Sequence, residues 1–262
     1  MVLAGAGRVA TSLGEALQAA GHRVVLVVSR HAATAARLAG RLGTPHATFA
    51  DRPLLPPAEI IIYSVSDDAL EEVTALLPPG DRLALHTAGS MPMEIFRGRA
   101  RHYGVLYPLQ TFSPGRRVDF SEVPLCIEGA TPADEMKILT FARTLSRRVY
   151  SIPTPRRRTL HLAAVIVNNF VNHLYHLAGE LLEKDDLPFE LLVPLIRETA
   201  EKATAMGPQR AQTGPAVRND ENVIKKHLEL LSCSPGLQEL YRLMTESIRH
   251  HTSPGKKRND HP

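Results

Sequence analysis

The residues with the most specific chemistry lie near the start of the chain, where a short apolar run leads into a glycine-rich turn. Val2–Ala4 predicts a strand, and Gly5, Gly7 and Ala10 then form G-x-G-x-x-A at the start of a predicted helix. The first glycine allows a tight turn, the second lets the backbone approach a diphosphate, and the small third residue lets the helix pack on the strand. The pattern in this strand–turn–helix context predicts a dinucleotide site. The residues expected at the diphosphate are Gly5, Ala6, Gly7, Arg8 and Val9.

The end of the second predicted strand suits a phosphorylated ribose. An NAD site usually has Asp or Glu here to bind the ribose 2′-hydroxyl, whereas this chain has Ser29 and Arg30. Ser29 can donate to a phosphate oxygen, and the Arg30 guanidinium can form two hydrogen bonds with a 2′-phosphate. The sequence therefore favours NADP(H) as the cofactor, the alternative being that Arg30 is one more solvated arginine of an arginine-rich chain.

Polar and small residues follow the next three predicted strands and are expected at the same site. The tripeptide Ser64-Val65-Ser66 allows close approach to a cofactor ribose, or only caps the following helix. His86 and Thr87 follow the fifth strand, where an imidazole can act as a general acid or can simply bond the backbone. After the sixth strand, Tyr107 or Gln110 can bind the nicotinamide amide or a substrate, and for Tyr107 the alternative is packing.

A long helix predicted at 159–184 is apolar on nearly all sides, which is typical of a helix buried in its domain. Its polar residues His161, Asn168, Asn172 and His176 follow at steps of seven, four and four, which place them on one face. An unpaired buried polar group costs roughly 1–3 kcal/mol. These side chains therefore form either a polar stripe at a buried interface or part of a substrate site.

A turn in the last third of the chain offers further ligand contacts. Gly214-Pro215 predicts the turn, and Asn219 or Asp220 can cap the helix that follows. Thr213 and Arg218 beside the turn can hold a carboxylate or phosphate of a substrate.

The elements that must position these residues form two patterns. Strands and helices alternate as far as Ser151, which predicts an α/β fold: a doubly wound, mainly parallel sheet covered by helices on both faces. Beyond a proline- and arginine-rich segment, 152–158, interpreted as a linker, only helices are predicted. We expect a Rossmann domain at 1–152, a helical substrate and dimerisation domain at 153–252, and a disordered basic tail at 253–262. Because doubly wound sheets bind ligands at the carboxyl ends of their strands, the helical domain is expected to close over them.

Composition argues against several classes of protein. The net charge is only +4, aromatic residues are few and Trp is absent, so a nucleic-acid-binding surface is not expected. The chain has no apolar run that could span a bilayer and no signal-peptide pattern at its start. Two cysteines, Cys126 and Cys233, are too few for a disulfide framework, and their spacing is not that of metal ligands. We therefore expect a cytoplasmic protein without a metal site.

Several of these motifs together resemble a known family. It comprises Rossmann-like proteins, provisionally labelled NADP oxidoreductases, with a C-terminal helical domain of unknown function. The matching segments are 5–10, 64–68, 86–90, 107–110, 161–165 with 168–169, and 213–220. The family is similar in layout to pyrroline-5-carboxylate reductase and the β-hydroxyacid dehydrogenases, which implies a helical domain like the C-terminal domain of 6-phosphogluconate dehydrogenase. The resemblance further implies an NADP(H)-dependent oxidoreductase that forms a homodimer through the helical domain.

The chain departs from the β-hydroxyacid dehydrogenases at one position. These enzymes carry a catalytic Lys four residues before an Asn on the first long helix of the second domain. Counting back from Asn168, that position here is Ala164. Pyrroline-5-carboxylate reductases work without this lysine. The resemblance therefore implies His86 or His161 as proton donor, with Asn168 or Asn169 orienting the substrate.

The expected function is an NADPH-dependent reductase that transfers a hydride to a C=O or C=N bond of a small, anionic substrate. The missing lysine favours an alternative, a non-catalytic NADP(H)-binding sensor or scaffold. A third alternative is a lyase or isomerase that uses the fold without redox chemistry.

Overall fold

Eight strands of the first part of the chain form one sheet. The structure is a computed structural model that describes residues 1–252; the basic tail expected at 253–262 lies outside the described residues. The strands are β1 Val2–Ala4, β2 Leu26–Ser29, β3 His46–Thr48, β4 Ile60–Tyr63, β5 Leu83–His86, β6 His102–Pro108, β7 Leu125–Gly129 and β8 Val149–Ser151. Their order is β3-β2-β1-β4-β5-β6-β7-β8.

The first six strands have the order and direction of a Rossmann sheet. All neighbours from β3 to β6 pair in parallel, β7 pairs antiparallel with β6, and β8 pairs in parallel with β7. The order 3-2-1-4-5-6 is that of the dinucleotide-binding doubly wound fold. The expected fold class is confirmed.

Alternating side chains bury both faces of the sheet under helices. Four helices connect its strands: α1 Arg8–Ala19, α2 Ala32–Leu42, α3 Asp67–Leu76 and α4 Pro132–Arg143. Leu3 belongs to the core that includes residues of α1, α2 and α4, whereas Val2 and Ala4 belong to the opposite core with residues of α3. Since successive strand residues face opposite sides, an apolar run such as this one serves both layers.

The carboxyl ends of β1 and β4 approach each other closely at Gly5. This residue has φ +124°, and a Cβ built on it would lie 2.1 Å from the carbonyl oxygen of Ser64. Only glycine fits such a contact and such a backbone conformation. The tight turn predicted from the first glycine of the motif is therefore present, and it brings β1 and the following helix beside the residues after β4.

The regular elements in the rest of the described chain are helices. They are α5 Thr154–Ala164, a π-helical segment Val165–Phe170, α6 Val171–Glu183, a short 3-10 helix Phe189–Leu192, α7 Val193–Met206, α8 Pro208–Ala211, α9 Glu221–Leu230 and α10 Pro235–Thr252. The Asp220 carboxylate accepts a hydrogen bond from the Val223 amide at 3.2 Å and so caps α9, as one of the two predicted caps. None of the described helices is both long enough and apolar enough to cross a bilayer.

The chain separates into two compact units, Met1–Phe170 and the residues from Val171 onward. The domain limits expected at 1–152 and 153–252 stay a prediction. The segment 152–158 differs from the linker expected there, because it is helical from Thr154 and its Arg157 is fully buried.

Two expectations about the long helix are wrong for the single chain. No residue of the π-helical segment or of α6 is buried, and Val167 and Phe170 are 70% and 57% exposed. The α-helix expected to run without a break over 159–184 is also interrupted, by the π-helical segment that lies between His161 and Asn172.

Candidate functional site

A cavity of about 590 Å³ opens where the carboxyl ends of the parallel strands meet. Doubly wound sheets bind their ligands at this edge. Of the residues expected to bind the cofactor, those that line this cavity are Gly5, Ala6, Gly7, Arg8, Val9, Ser29, Arg30, Ser64, Val65, Ser66 and Thr87. These residues come from the ends of β1, β2, β4 and β5, so the structure brings together residues that are far apart in the sequence.

The start of α1 offers an open, electropositive surface to this cavity. Gly7 is the N-cap of α1, and a Cβ built on it would meet no atom within 4 Å. The first turn of α1 contains no acidic residue. Free amide groups and the helix dipole at such a site favour an anion, which fits the diphosphate of a dinucleotide.

Ser29 and Arg30 mark the end of β2 in the same cavity. Ser29 is a buried residue, and its hydroxyl lies 3.3 Å from the Thr34 hydroxyl. Arg30 is exposed and forms no salt bridge within the described part of the chain. A solvent-facing arginine that follows a serine, with no Asp or Glu at this strand end, fits a ribose 2′-phosphate better than a 2′-hydroxyl.

Tyr107 and His161 form a hydrogen-bonded pair in the wall of the cavity. Tyr107 Oη lies 3.0 Å from His161 Nδ1, and the two rings meet edge to face at 5.7 Å. A Cβ on Gly89 would lie 2.6 Å from His161 Nδ1, so the imidazole occupies space that only a glycine leaves open. Burial raises the pKa of Tyr107 to about 12, so the phenol stays protonated and can either donate to the imidazole or accept from it.

His86 lies beneath the cavity rather than in its wall. Its side chain is 0% exposed, packs on Phe96 with ring centroids 5.8 Å apart, and accepts from the Ala88 amide at 3.2 Å through Nδ1. Burial, and secondarily the positive charge of Arg157, lower the pKa of His86 to about 3. A neutral imidazole without access to the cavity cannot give a proton to a ligand there. This placement differs from the one expected for a general acid at the cofactor site and agrees with the alternative, an imidazole bonded to the backbone.

A buried ion pair holds α5 against β7. The Arg157 guanidinium, 0% exposed, pairs with the Glu128 carboxylate and donates to the Met91 carbonyl oxygen at 2.6 Å and to Thr154 Oγ1 at 3.0 Å. Glu128 also accepts from the Thr154 amide at 2.8 Å and from its hydroxyl at 2.6 Å. A buried charge is tolerated only with such partners. Since His161 follows Arg157 by about one helical turn, this ion pair fixes the helix that carries the imidazole.

Two family models match the chain. Residues 1–85 match the family described as "NADP oxidoreductase coenzyme F420-dependent", and residues 123–248 match a domain of unknown function, DUF2520. No curated protein matches the chain.

A solved structure from Bacteroides fragilis decides the family. Named "putative NADP oxidoreductase BF3122", it is 46% identical and superposes with a TM-score of 0.89, with 95% of this chain and 97% of that one covered. The chain belongs to the same family. The expected relationship to NADP oxidoreductases with a helical domain of unknown function is thus confirmed, and with it the assignment as an oxidoreductase. We refer to the group as the DUF2520 oxidoreductases.

More distant structures share the fold of the DUF2520 oxidoreductases. Protein TM1727 from Thermotoga maritima is 23% identical with a TM-score of 0.72, over 96% of this chain and 97% of that one. The 1-pyrroline-5-carboxylate reductase of Streptococcus pyogenes is 11% identical with a TM-score of 0.62, over 95% and 97%. At these identities the likeness concerns the fold alone.

The remaining candidate residues of this DUF2520 oxidoreductase are more dispersed. Gln110 lines the cavity, and its side chain accepts from the Thr111 amide at 2.8 Å. Asn168 and Asn169 are exposed on the π-helical segment and are not part of the cavity wall. Thr213 and Arg218 lie exposed in the second unit, and their role as substrate contacts stays a prediction.

Sequence reasoning missed two features of the site. The sequence predicts that Tyr107 binds the nicotinamide amide or a substrate, or packs in the core, and does not predict its hydrogen bond with His161. It predicts a linker at Arg157, where the structure has a buried ion pair. One signal could have shown that α5 starts early, because a Thr-Pro pair at Thr154 is typical of the first turn of a helix. Nothing local predicts that Glu128 is the ionic partner.

Proposed function

We propose that the chain is an NADP(H)-dependent reductase that transfers a hydride to a C=N or C=O bond of a small anionic substrate. One observation carries this proposal: the Tyr107–His161 pair stands in the wall of the same cavity as the glycine-rich turn and Arg30. A single cavity therefore offers groups for a phosphorylated dinucleotide and a group that can supply a proton.

The residues at one side of the cavity suit the phosphorylated parts of the cofactor. The amide groups at the start of α1, opened by Gly7, are proposed to bind the diphosphate. Ser29 and Arg30 are proposed to bind the 2′-phosphate, which gives preference for NADP(H) over NAD(H). When bound, the reduced cofactor supplies the hydride.

His161 is proposed to supply the proton that completes the reduction. In its imidazolium form it donates Nδ1–H to Tyr107 Oη and presents Nε2–H to the substrate nitrogen or oxygen that gains a proton. The neutral imidazole that remains keeps its hydrogen bond with Tyr107, because the phenol can donate or accept. His161 thus takes the acid role for which His86 is too deeply buried.

The substrate class is proposed by analogy and by the polar residues at hand. The Streptococcus pyogenes protein is named for 1-pyrroline-5-carboxylate, a cyclic imine that carries a carboxylate. Gln110 in the cavity wall can hydrogen-bond such a substrate. Asn168, Asn169, Thr213 and Arg218 remain our candidates for orienting it and holding its anionic group.

A homodimer through the helical domain is also proposed, together with the domain limits given above and a cytoplasmic location. The apolar side chains Leu162, Ile166, Val167 and Phe170 are exposed within a single chain, which favours burial against a second copy. The two free cysteines suit a reducing compartment.

Cofactor binding and turnover are best tested separately. NADPH and NADH are titrated by calorimetry into the wild-type chain, Arg30→Gln and the matched control Arg101→Gln. We expect NADPH to bind more tightly than NADH, and Arg30→Gln alone to weaken NADPH at least tenfold with little change for NADH, since a charged hydrogen bond is lost.

Turnover is followed as loss of nicotinamide absorbance across a panel of cyclic imines and 2-oxo acids. Coenzyme F420 is added as a further redox partner, because the description of the matching family model names it. Tight NADPH binding with no turnover in the panel would favour the sensor or scaffold instead. No NADPH binding at all would refute the proposal.

A further inference from the structure

A second cavity, larger than the first, also borders the glycine-rich turn. It encloses about 770 Å³ between α1, α2 and the loop that follows β6. Arginines from all three elements line it: Arg8, Arg37, Arg41, Arg116 and Arg117. We call this cavity the arginine cleft.

The positive charge of the arginine cleft is mostly unpaired. Its one acidic residue, Glu15, is already bound to Arg41, with 3.0 Å between Nη1 and Oε1. Within residues 1–252, the side chains of the other four arginines form neither a salt bridge nor a hydrogen bond. Cations gathered around one cavity repel each other, and an anion bound between them relieves that repulsion.

The chemistry of the lining favours phosphate groups in particular. Guanidinium groups form paired, charge-assisted hydrogen bonds with phosphate oxygens. Gly7, at the anion-binding start of α1, also borders the cleft. Even with Arg8 engaged by the cofactor, the three guanidinium groups of Arg37, Arg116 and Arg117 carry more positive charge than one phosphate group can neutralise, so the lining fits a ligand with several phosphate groups.

The arginine cleft is largely distinct from the cofactor cavity. The two share Ala6, Gly7 and Arg8, whereas Ser29 and Arg30 line the cofactor cavity alone. A dinucleotide held by these last two residues leaves Arg37, Arg116 and Arg117 available.

We propose that the arginine cleft binds an oligophosphate ligand at the same time as the cofactor occupies its own cavity. Because Arg8 borders both cavities and both ligands are anionic, each ligand weakens the other by the same limited factor. This site goes beyond the proposed reductase activity and does not depend on it.

The test titrates inorganic tripolyphosphate into the full chain by calorimetry, with and without saturating NADPH. The variant Arg116→Gln/Arg117→Gln removes two charges from the cleft. The matched control Arg101→Gln/Arg143→Gln removes two exposed arginines that line neither cavity. All four side chains are exposed, so melting temperatures are expected to stay near that of the wild type.

We expect tripolyphosphate to bind also when NADPH is present. Its affinity is expected to fall as the NADPH concentration rises and then to reach a plateau. The cleft variant is expected to lose about tenfold or more in tripolyphosphate affinity, and the control less than threefold, while both keep the NADPH affinity of the wild type. No binding, equal loss in the two variants, or weakening that grows without limit as NADPH rises would each overturn the proposal. Since NADPH is titrated alone as well, failure of the cofactor proposal would be seen separately.

Discussion

The two histidines near the carboxyl edge of the sheet have opposite surroundings. His86 ends β5, is covered by Phe96 and has a pKa lowered to about 3. His161 reaches the cavity wall from α5 and contacts the Tyr107 hydroxyl. An imidazole can exchange protons with a ligand only where it has both access and a partner that suits its charged form. Burial in the structure, more than closeness in the sequence to a cofactor motif, therefore distinguishes a candidate proton donor from a packing residue.

Replacement of each histidine is expected to have the largest effect on activity and to separate their roles. Because a general acid contributes about 10²–10⁴-fold to a rate, His161→Gln is expected to lower kcat by roughly that factor and to leave NADPH affinity within threefold. His86→Asn, which can still accept a hydrogen bond from the Ala88 amide, is expected to keep kcat within severalfold. Steady-state rates and calorimetric NADPH titrations check both. A larger loss of kcat in His86→Asn than in His161→Gln would reverse the assignment.

Arg157 affects both histidines, because its charge lowers the pKa of His86 and its ion pair holds the helix that carries His161. Its removal is expected to have the next largest effect, on the free energy of unfolding. Arg157→Met leaves the Glu128 carboxylate buried without its cation, which costs about 3–5 kcal/mol. Denaturant unfolding measures the loss of stability. Glu128→Gln keeps a hydrogen-bond acceptor and serves as the milder variant if Arg157→Met does not fold. A loss below 1 kcal/mol in Arg157→Met would mean that the ion pair does not anchor α5.

The depth of His86 also predicts how stability depends on pH. Its pKa is about 3 when folded and about 6.5 when unfolded, so between these values the unfolded state binds more protons. The stability contributed by the neutral, buried His86 is therefore complete above pH ~6.5. It is lost as the pH falls toward ~3, by an amount on the order of 5 kcal/mol. His86→Asn is expected to flatten this part of the curve, whereas the exposed control His176→Asn is not. The free energy of unfolding is measured with urea at a series of pH values. The same pH dependence for His86→Asn and the wild type would contradict the buried placement of His86.

The smallest expected effect concerns the reactivity of the two cysteine thiols, one of which packs against Tyr107. Cys126 is buried there, and burial raises its pKa to about 11, whereas Cys233 is exposed. Iodoacetamide is expected to modify Cys233 in the native protein and both cysteines after denaturation, as measured by mass spectrometry. Rapid native modification of Cys126 would show that this region opens to solvent.

The local parts of the fold could be predicted from the sequence. Neighbouring residues determine β1 and the glycine-rich turn, so β1 has the predicted limits Val2–Ala4 and a helix starts directly after the turn, as expected. The cover over His86 comes instead from Phe96, on a short 3-10 helix at Met93–Phe96. The partner of Arg157 comes from β7, and the π-helical segment has no local signature. Such features depend on tertiary packing, which periodicity and motifs do not describe.

The number of helical residues between the buried Arg157 and His161 determines where the imidazole lies. Four residues of α-helix correspond to about 6 Å of rise, and each residue adds about 100° of rotation. One residue inserted between the two would swing the ring about a quarter-turn from the phenol without altering any functional group. In this part of the chain, length is therefore as much a determinant of reactivity as residue identity.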